Sequence, residues 1–257
     1  MARKARARLR ALADLVADAH PEVDAAAAIT GGLVAVGGVA TTNPASLVRR
    51  DAVVTLLDDA EKPLRGEAKL AAALAGFAVP VEGRIALDLG AAAGGFTRVL
   101  LRAGARRVYA VDVGFGQLLG SLRQHPAVVD LERTNLADLD PALVPETIDV
   151  VTADLSYVSL ARAVPQLDGR VAFSPGAELL AVVKPQFELG LAEPPCDARA
   201  LTQAVDAAAG GLERAGWTVT GSRESPVTGR RGAIEFLLHA RRRDCREMPT
   251  PTGPGVS

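Results

Sequence analysis

The chain predicts an α/β fold: a doubly wound, largely parallel sheet preceded by a small α+β module. Three observations carry this expectation. Residues 84–97 read RIALDLGAAAGGFT, an apolar run that breaks into a glycine turn and resumes at helical spacing (Phe96, Val99, Leu100, Leu101), the pattern of one strand–loop–helix unit. After about residue 80, short apolar runs alternate with helical stretches, whereas residues 1–60 carry only short elements. At 257 residues and 49% hydrophobic content, the chain can bury one sizeable core and a smaller one.

Taken in order, Leu9, Leu12, Leu15 and Val16 give a helical apolar stripe, and residues 23–29 a second short helix that Gly31 and Gly32 stop. Residues 33–41, interrupted by Gly37 and Gly38, read as a tight hairpin, and residues 52–57 as the strand that closes the module of residues 1–60. Residues 61–79 link it to the rest: a loop marked by Pro63 and Gly66, then an amphipathic helix over 67–77 with Lys69 near its start. On pattern alone that lysine is a surface residue unless its helix faces a cleft. Residues 80–243 form the sheet domain, with strands at 85–89, 107–111, 128–131, 148–153, 178–183, 217–223 and 233–240. Helices are read from near Phe115, from about Val158 and over the alanine-rich 199–215, which Gly216 stops. Residues 244–257, ending MPTPTGPGVS, have the composition of a disordered tail.

Composition narrows the function. No apolar run approaches the ~20 residues of a membrane span, and the start MARKARARLR lacks the apolar core of a secretory signal, so a cytoplasmic protein without membrane association is expected. Cys196 and Cys245 stand far apart, and His20, His125 and His239 are isolated, so neither a disulfide framework nor a metal site is expected. The net charge of −1 gives no overall attraction for nucleic acid. Arg3, Lys4, Arg6, Arg8 and Arg10 form one local basic run, either a solvated arm or a phosphate contact.

The polar residues at the ends of the predicted strands carry the chemistry. Asp88 stands two residues before the loop glycines Gly90, Gly94 and Gly95, which are followed by Phe96; the loop lacks the G-x-G-x-x-G of a pyrophosphate site. An acidic residue there suits a cationic amino group, such as the methionine end of S-adenosylmethionine, and glycines let a ligand approach the backbone. Asp112, at the end of the second strand, can accept hydrogen bonds from both ribose hydroxyls of an adenosine, or can cap the next helix. Thr134 and Asn135 follow the third strand where an adenine would lie, Asp154 ends the fourth, and Lys184 ends the fifth, fixed by Pro185. Glu235 lies within the predicted seventh strand.

Read together, DLGAAAGGFT, VYAVDVGFGQL, ERTNLADL, TADLSYVSL and VVKPQFE resemble the TlyA-type ribosomal RNA 2′-O-methyltransferases, often called hemolysins, within the wider FtsJ-like group. The resemblance runs through most of residues 65–240 and implies a Rossmann-like seven-stranded class I methyltransferase sheet, S-adenosylmethionine as cofactor, and a catalytic set at Lys69, Asp154, Lys184 and Glu235. It further implies cofactor contacts from Asp88, Gly90, Gly94, Gly95, Phe96, Asp112, Asn135 and Asp154, no metal, and ribosomal RNA or a ribosomal subunit as partner. Lys184 is the expected base, with Asp154 and Glu235 orienting the paired lysines.

The N-terminal module resembles, in layout, the small RNA-binding domain of ribosomal protein S-four. Between Ala11 and Val48, however, it has no lysine or arginine, while Asp14, Asp18, Glu22 and Asp24 add negative charge. Where the family has Arg-Gly-Gly before its first catalytic lysine, this chain has Arg65-Gly66-Glu67-Ala68, and the loop after KPQFE is the acidic-apolar LGLAEPPCD. Two alternatives therefore stand beside RNA methylation. One is a small-molecule enzyme that methylates its substrate or cyclises the cofactor's aminobutyrate arm; the other is a non-catalytic scaffold.

Overall fold

The computed structural model describes residues 9–37, 39–56 and 64–243. The basic run up to Arg8, Gly38 of the hairpin, the loop at Pro63 and the expected tail from 244 lie outside the described residues.

The N-terminal module opens with β1 (Leu9–Ala11) and α1 (Leu12–Ala19), followed by α2 (Ala25–Thr30), β2 (Val34–Val36), β3 (Val39–Ala40), β4 (Leu47–Arg49) and β5 (Val54–Leu56). The expected hairpin is β2–β3, and β2 pairs on its other edge with β5. Leu9 belongs to a strand rather than to the helical stripe, because β4 draws residues 9–11 into an antiparallel pair. Asp24 starts α2 by accepting the Ala27 N–H. Leu12, Val16, Ala28, Ile29 and Val34 fill a small core of their own.

α3 (Arg65–Phe77) then leads into the main sheet through β6 (Ile85–Leu89), α4 (Gly95–Arg102), β7 (Arg107–Asp112), α5 (Gly120–Arg123), β8 (Val128–Glu132) and β9 (Ile148–Ala153). α6 (Leu160–Ala163), β10 (Phe173–Val183), α7 (Pro185–Glu188), α8 (Ala198–Arg214), β11 (Trp217–Glu224) and β12 (Phe236–Arg242) complete it. The seven strands run β11-β12-β10-β9-β6-β7-β8; β6 to β10 are parallel, and β12 enters antiparallel between β10 and β11. The order reverses at β6, between β9 and β7, which is where ligands bind in such sheets.

Strand alternation sets both faces. Ile85, Leu87 and Leu89 enter one core with Leu160, Leu212 and Trp217, whereas Ala86 enters the opposite one with Leu70, Phe96 and Leu100. Asp88 shares the face of Ala86 and so points under α4.

Two element boundaries differ from expectation for identifiable reasons. No helix begins near Phe115, because the Glu132 carboxylate collects the backbone N–H groups of Gly116, Gln117 and Leu118 and holds that stretch as an irregular loop until Gly120. The last strand begins at Phe236, not at 233; Glu235 sits in the β11–β12 turn, where its carbonyl accepts the Ser225 N–H and Gly229 bonds Ala233.

The loop glycines also serve the protein's own packing. Gly90 has φ +81°, and a Cβ there would lie 2.8 Å from the Asp154 carbonyl oxygen. Gly94, at φ +94°, faces Leu118 and Leu122, while Gly95 lies against Gly66 at the start of α3. Gly120 plays a comparable part at the other end of α5, where it meets the Thr30 carbonyl and seats the N-terminal module.

Candidate active site

The carboxyl ends of β6, β7, β9 and β10 open into a cleft of about 1010 Å³, lined among others by Gly90, Gly95, Phe96, Asp112, Asn135, Lys69, Asp154, Lys184 and Glu235. Its volume suits a drug-sized ligand with room beside it.

Four ionisable side chains alternate in sign across its floor. Glu235 Oε2 lies 2.7 Å from Lys69 Nζ, Lys69 Nζ 3.2 Å from Asp154 Oδ2, and Asp154 Oδ1 2.7 Å from Lys184 Nζ, which also donates to Ser156 Oγ at 3.1 Å. They converge from α3, β9, β10 and the β11–β12 turn, so the sheet topology assembles groups far apart in sequence. The chain is graded in exposure: the side chains of Lys69 and Glu235 are 6% and 4% accessible, those of Lys184 and Asp154 11% and 19%. Asp154 and Lys184 form its more exposed end. Burial pushes the Asp154 carboxyl up, but the Lys184 and Lys69 ammonium groups and their hydrogen bonds outweigh it and hold Asp154 below its usual range.

α3 presents Lys69 because its start is clamped. The buried Glu67 carboxylate accepts the Leu64 N–H at 3.0 Å and pairs with Arg98 at 2.8 Å and Arg102 at 2.7 Å on α4. Glu67 is one of the departures noted from sequence, and here it ties the helix bearing Lys69 to the helix behind the glycine loop.

The remaining predicted residues divide. Asp112 lines the cleft, its oxygens accepting the N–H groups of Ala92 (2.8 Å) and Gly114 (2.7 Å), so it fixes the glycine loop from across β7. Asn135 lines the cleft and caps the short helical turn Leu136–Asp138. Phe96 is buried with its ring against Gly66 and forms part of the wall. Gly94 and Asp88 are not among the lining residues. Asp88 is 1% exposed and accepts the hydroxyls of Thr97 (2.7 Å) and Thr152 (2.9 Å) beneath the loop. Burial pushes its carboxyl up to about 6, helped by the charge of Asp154 and opposed by the two hydroxyls.

Sequence reasoning missed three contributors. Ser156 holds Lys184; Tyr157, 86% exposed at φ +69°, packs on Phe187 at 5.6 Å on the cleft wall; Glu132 ties down the loop after β7. The DLSYVSL run offered a signal for the first two, since a serine and an aromatic directly follow a strand-end aspartate. Glu132 offered none.

Against known proteins, residues 64–242 match the family described as FtsJ-like methyltransferase. The chain belongs to that family. It is therefore a methyltransferase, and its fold accords: an S-adenosylmethionine dependent methyltransferase from Mesorhizobium loti, 19% identical, superposes with a TM-score of 0.51 over 70% of this chain and 100% of that one. Among curated FtsJ-like relatives, the 16S/23S rRNA (cytidine-2′-O)-methyltransferase TlyA of Mycobacterium tuberculosis is 40% identical over 90% of this chain and 88% of its own length. A hemolysin-named structure from Streptococcus thermophilus, 30% identical, has a TM-score of 0.67 and covers 93% of this chain and 90% of that one. No helix among the described residues is long and apolar enough to cross a membrane.

Proposed function

We propose that the chain methylates a ribose 2′-hydroxyl of ribosomal RNA, using S-adenosylmethionine. The observation that carries this reading is the Glu235–Lys69–Asp154–Lys184 chain, buried at the Glu235–Lys69 end and partly exposed at Asp154 and Lys184. A ribose hydroxyl is a weak nucleophile, so an amine must be positioned to take its proton as the new C–O bond forms. Lys184 Nζ is that amine once its ammonium form, the one that pairs with Asp154, has given up its own proton to solvent. Asp154 and Ser156 fix it, and the inner Lys69–Glu235 pair fixes Asp154.

The residues present fit the cofactor's chemistry. Asp112 retains acceptor capacity toward a diol beside the two N–H groups it already binds, Asn135 stands where an adenine edge is reached, and Gly90 with Gly95 forms the loop wall. When bound, S-adenosylmethionine supplies an electrophilic methyl group. Asp88 acts beneath the loop by tying β6, α4 and β9 through Thr97 and Thr152.

On the acceptor side, Tyr157, exposed and packed at a tilt of 43° on Phe187, offers an aromatic face of the kind on which a nucleobase stacks. TlyA of M. tuberculosis is named for cytidine-2′-O methylation of 16S and 23S rRNA, which supports the same acceptor class here.

A second reading, a small-molecule acceptor, draws on the N-terminal module, where Arg10 and Arg49 are already paired with Asp18 and Asp51. Incubating the protein with ribosomal subunits and labelled S-adenosylmethionine separates the two. The RNA reading expects label in rRNA, lost in Lys184→Ala with cofactor affinity retained. Absence of label in rRNA from the wild type contradicts it, and cofactor breakdown without any acceptor supports the alternative.

A further inference from the structure

We infer that Arg231, in the turn between β11 and β12, anchors a backbone phosphate of the RNA beside the acceptor ribose. This rests on the RNA reading above.

The need for such an anchor follows from charge. Within the cleft, Lys69 and Lys184 are neutralised by Asp154 and Glu235, so the catalytic groups supply no net attraction for a polyanion. Of the module's described arginines, Arg10 and Arg49 are paired with carboxylates and Arg50 is exposed, and none of the three lines the cleft; the segment after KPQFE, residues 189–197, carries Glu193 and Asp197 and no lysine or arginine. On the cofactor side, Arg133 lies over the Phe115 ring at 3.7 Å.

The β11–β12 turn differs. It reads Thr228-Gly-Arg-Arg-Gly232, and residues at both its ends, Gly229 and Glu235, line the cleft. Arg231 stands exposed between them and, among the described residues, forms no ion pair or side-chain hydrogen bond. Its backbone is held at φ +56°, ψ +26°, a conformation that asparagine and glycine adopt with less strain than arginine. A strained, unpaired guanidinium on the turn that delivers Glu235 is placed to fix an RNA strand relative to Lys184, and a guanidinium forks onto phosphate oxygens.

The test compares Arg231→Asn, which suits the left-handed backbone, and Arg231→Lys, which keeps the charge. Methyl transfer to ribosomal subunits is followed from low to high salt, with binding of the cofactor measured separately. R231N is expected to raise KM for subunits about tenfold and to make log(kcat/KM) against log[salt] shallower by about 0.7–0.9. Its kcat and cofactor affinity should stay near wild type, and R231K should recover the salt slope. An unchanged KM and slope in R231N, with the wild type active on subunits, overturns the inference alone. An equal loss of cofactor affinity also overturns it, by showing a structural role. A wild type that transfers no methyl to subunits overturns the RNA reading and this inference with it.

Discussion

Gly90→Ala tests how the glycine loop and the catalytic floor depend on each other. Alanine at φ +81° carries a left-handed penalty of ~1–2 kcal/mol. Its Cβ would also stand 2.8 Å from the Asp154 carbonyl oxygen, whereas ordinary contacts begin near 3.4 Å. Neither partner can retreat freely, because Gly90 N–H bonds the Val111 carbonyl at 2.9 Å and Asp154 N–H bonds the Leu89 carbonyl at 3.1 Å. Relieving the overlap adds ~1–3 kcal/mol, so the total is ~2–5 kcal/mol, at ~2–4 °C of melting temperature per kcal/mol for a chain of this size. The movement falls on Asp154, whose oxygens hold both lysines, and a misplacement near 1 Å can cost ~100-fold in rate. Gly116, also in the left-handed region at φ +67° but with nothing near its missing Cβ, is the control: Gly116→Ala should show the backbone penalty without the loss of rate. Thermal unfolding and methyl transfer at saturating cofactor read both effects. A G90A protein with wild-type melting and turnover would refute the coupling.

Two further predictions concern the buried charges. Asp88 titrates near 6 in the folded state against 3.8 unfolded, so the folded protein binds the extra proton, and stability falls as pH rises from about 4 through about 6. Above that window the ionised group costs about 3 kcal/mol. Asp88→Asn should flatten this part of the pH–stability profile and raise the melting temperature at pH 7 relative to wild type; an unchanged profile counts against it. Asp154 runs the other way: its contribution is present above its unfolded value and is lost as pH falls through the depressed folded one. Lys69→Met leaves Glu235 buried without its cation and should destabilise by ~3–5 kcal/mol. Replacing Glu235 by Leu as well should restore much of that stability in denaturant melts while activity stays lost, and a double variant as unstable as K69M would argue against a paired role.

Strand periodicity made the fold legible. The apolar runs at 85–89, 107–111, 148–153 and 178–183 each became a parallel strand, and their polar terminal residues arrived at one edge. The third-strand stretch continued to Glu132, whose carboxylate then suppressed the helix expected near Phe115, a tertiary contact with no local signature. β4 was illegible because its three residues form a strand only through pairing with β1. At the site, the end of β10 suggested an inward-pointing Lys184 from residues alone, while Lys69 and Glu235 entered through resemblance: the first sits on a helix that could have faced water, the second in a turn. The side on which Asp88 lies followed from alternation with Leu87 and Leu89, yet its burial under Thr97 and Thr152 depends on where α4 and β9 pack. The loop glycines were recognised as necessary, but the packing that also requires them was not legible, since the atoms that would meet a Cβ belong to Asp154, Leu118, Leu122 and Gly66, residues brought there by the fold.

The most direct test of the central claim is the chemical position of the transferred methyl group. Ribosomal subunits incubated with the protein and labelled S-adenosylmethionine are digested with alkali, which cleaves beside every free 2′-hydroxyl and spares a 2′-O-methylated one. The account predicts label confined to an alkali-resistant dinucleotide and absent when Lys184→Ala is used. Label in mononucleotides, marking a methylated base, would contradict it, and so would undiminished dinucleotide labelling by K184A.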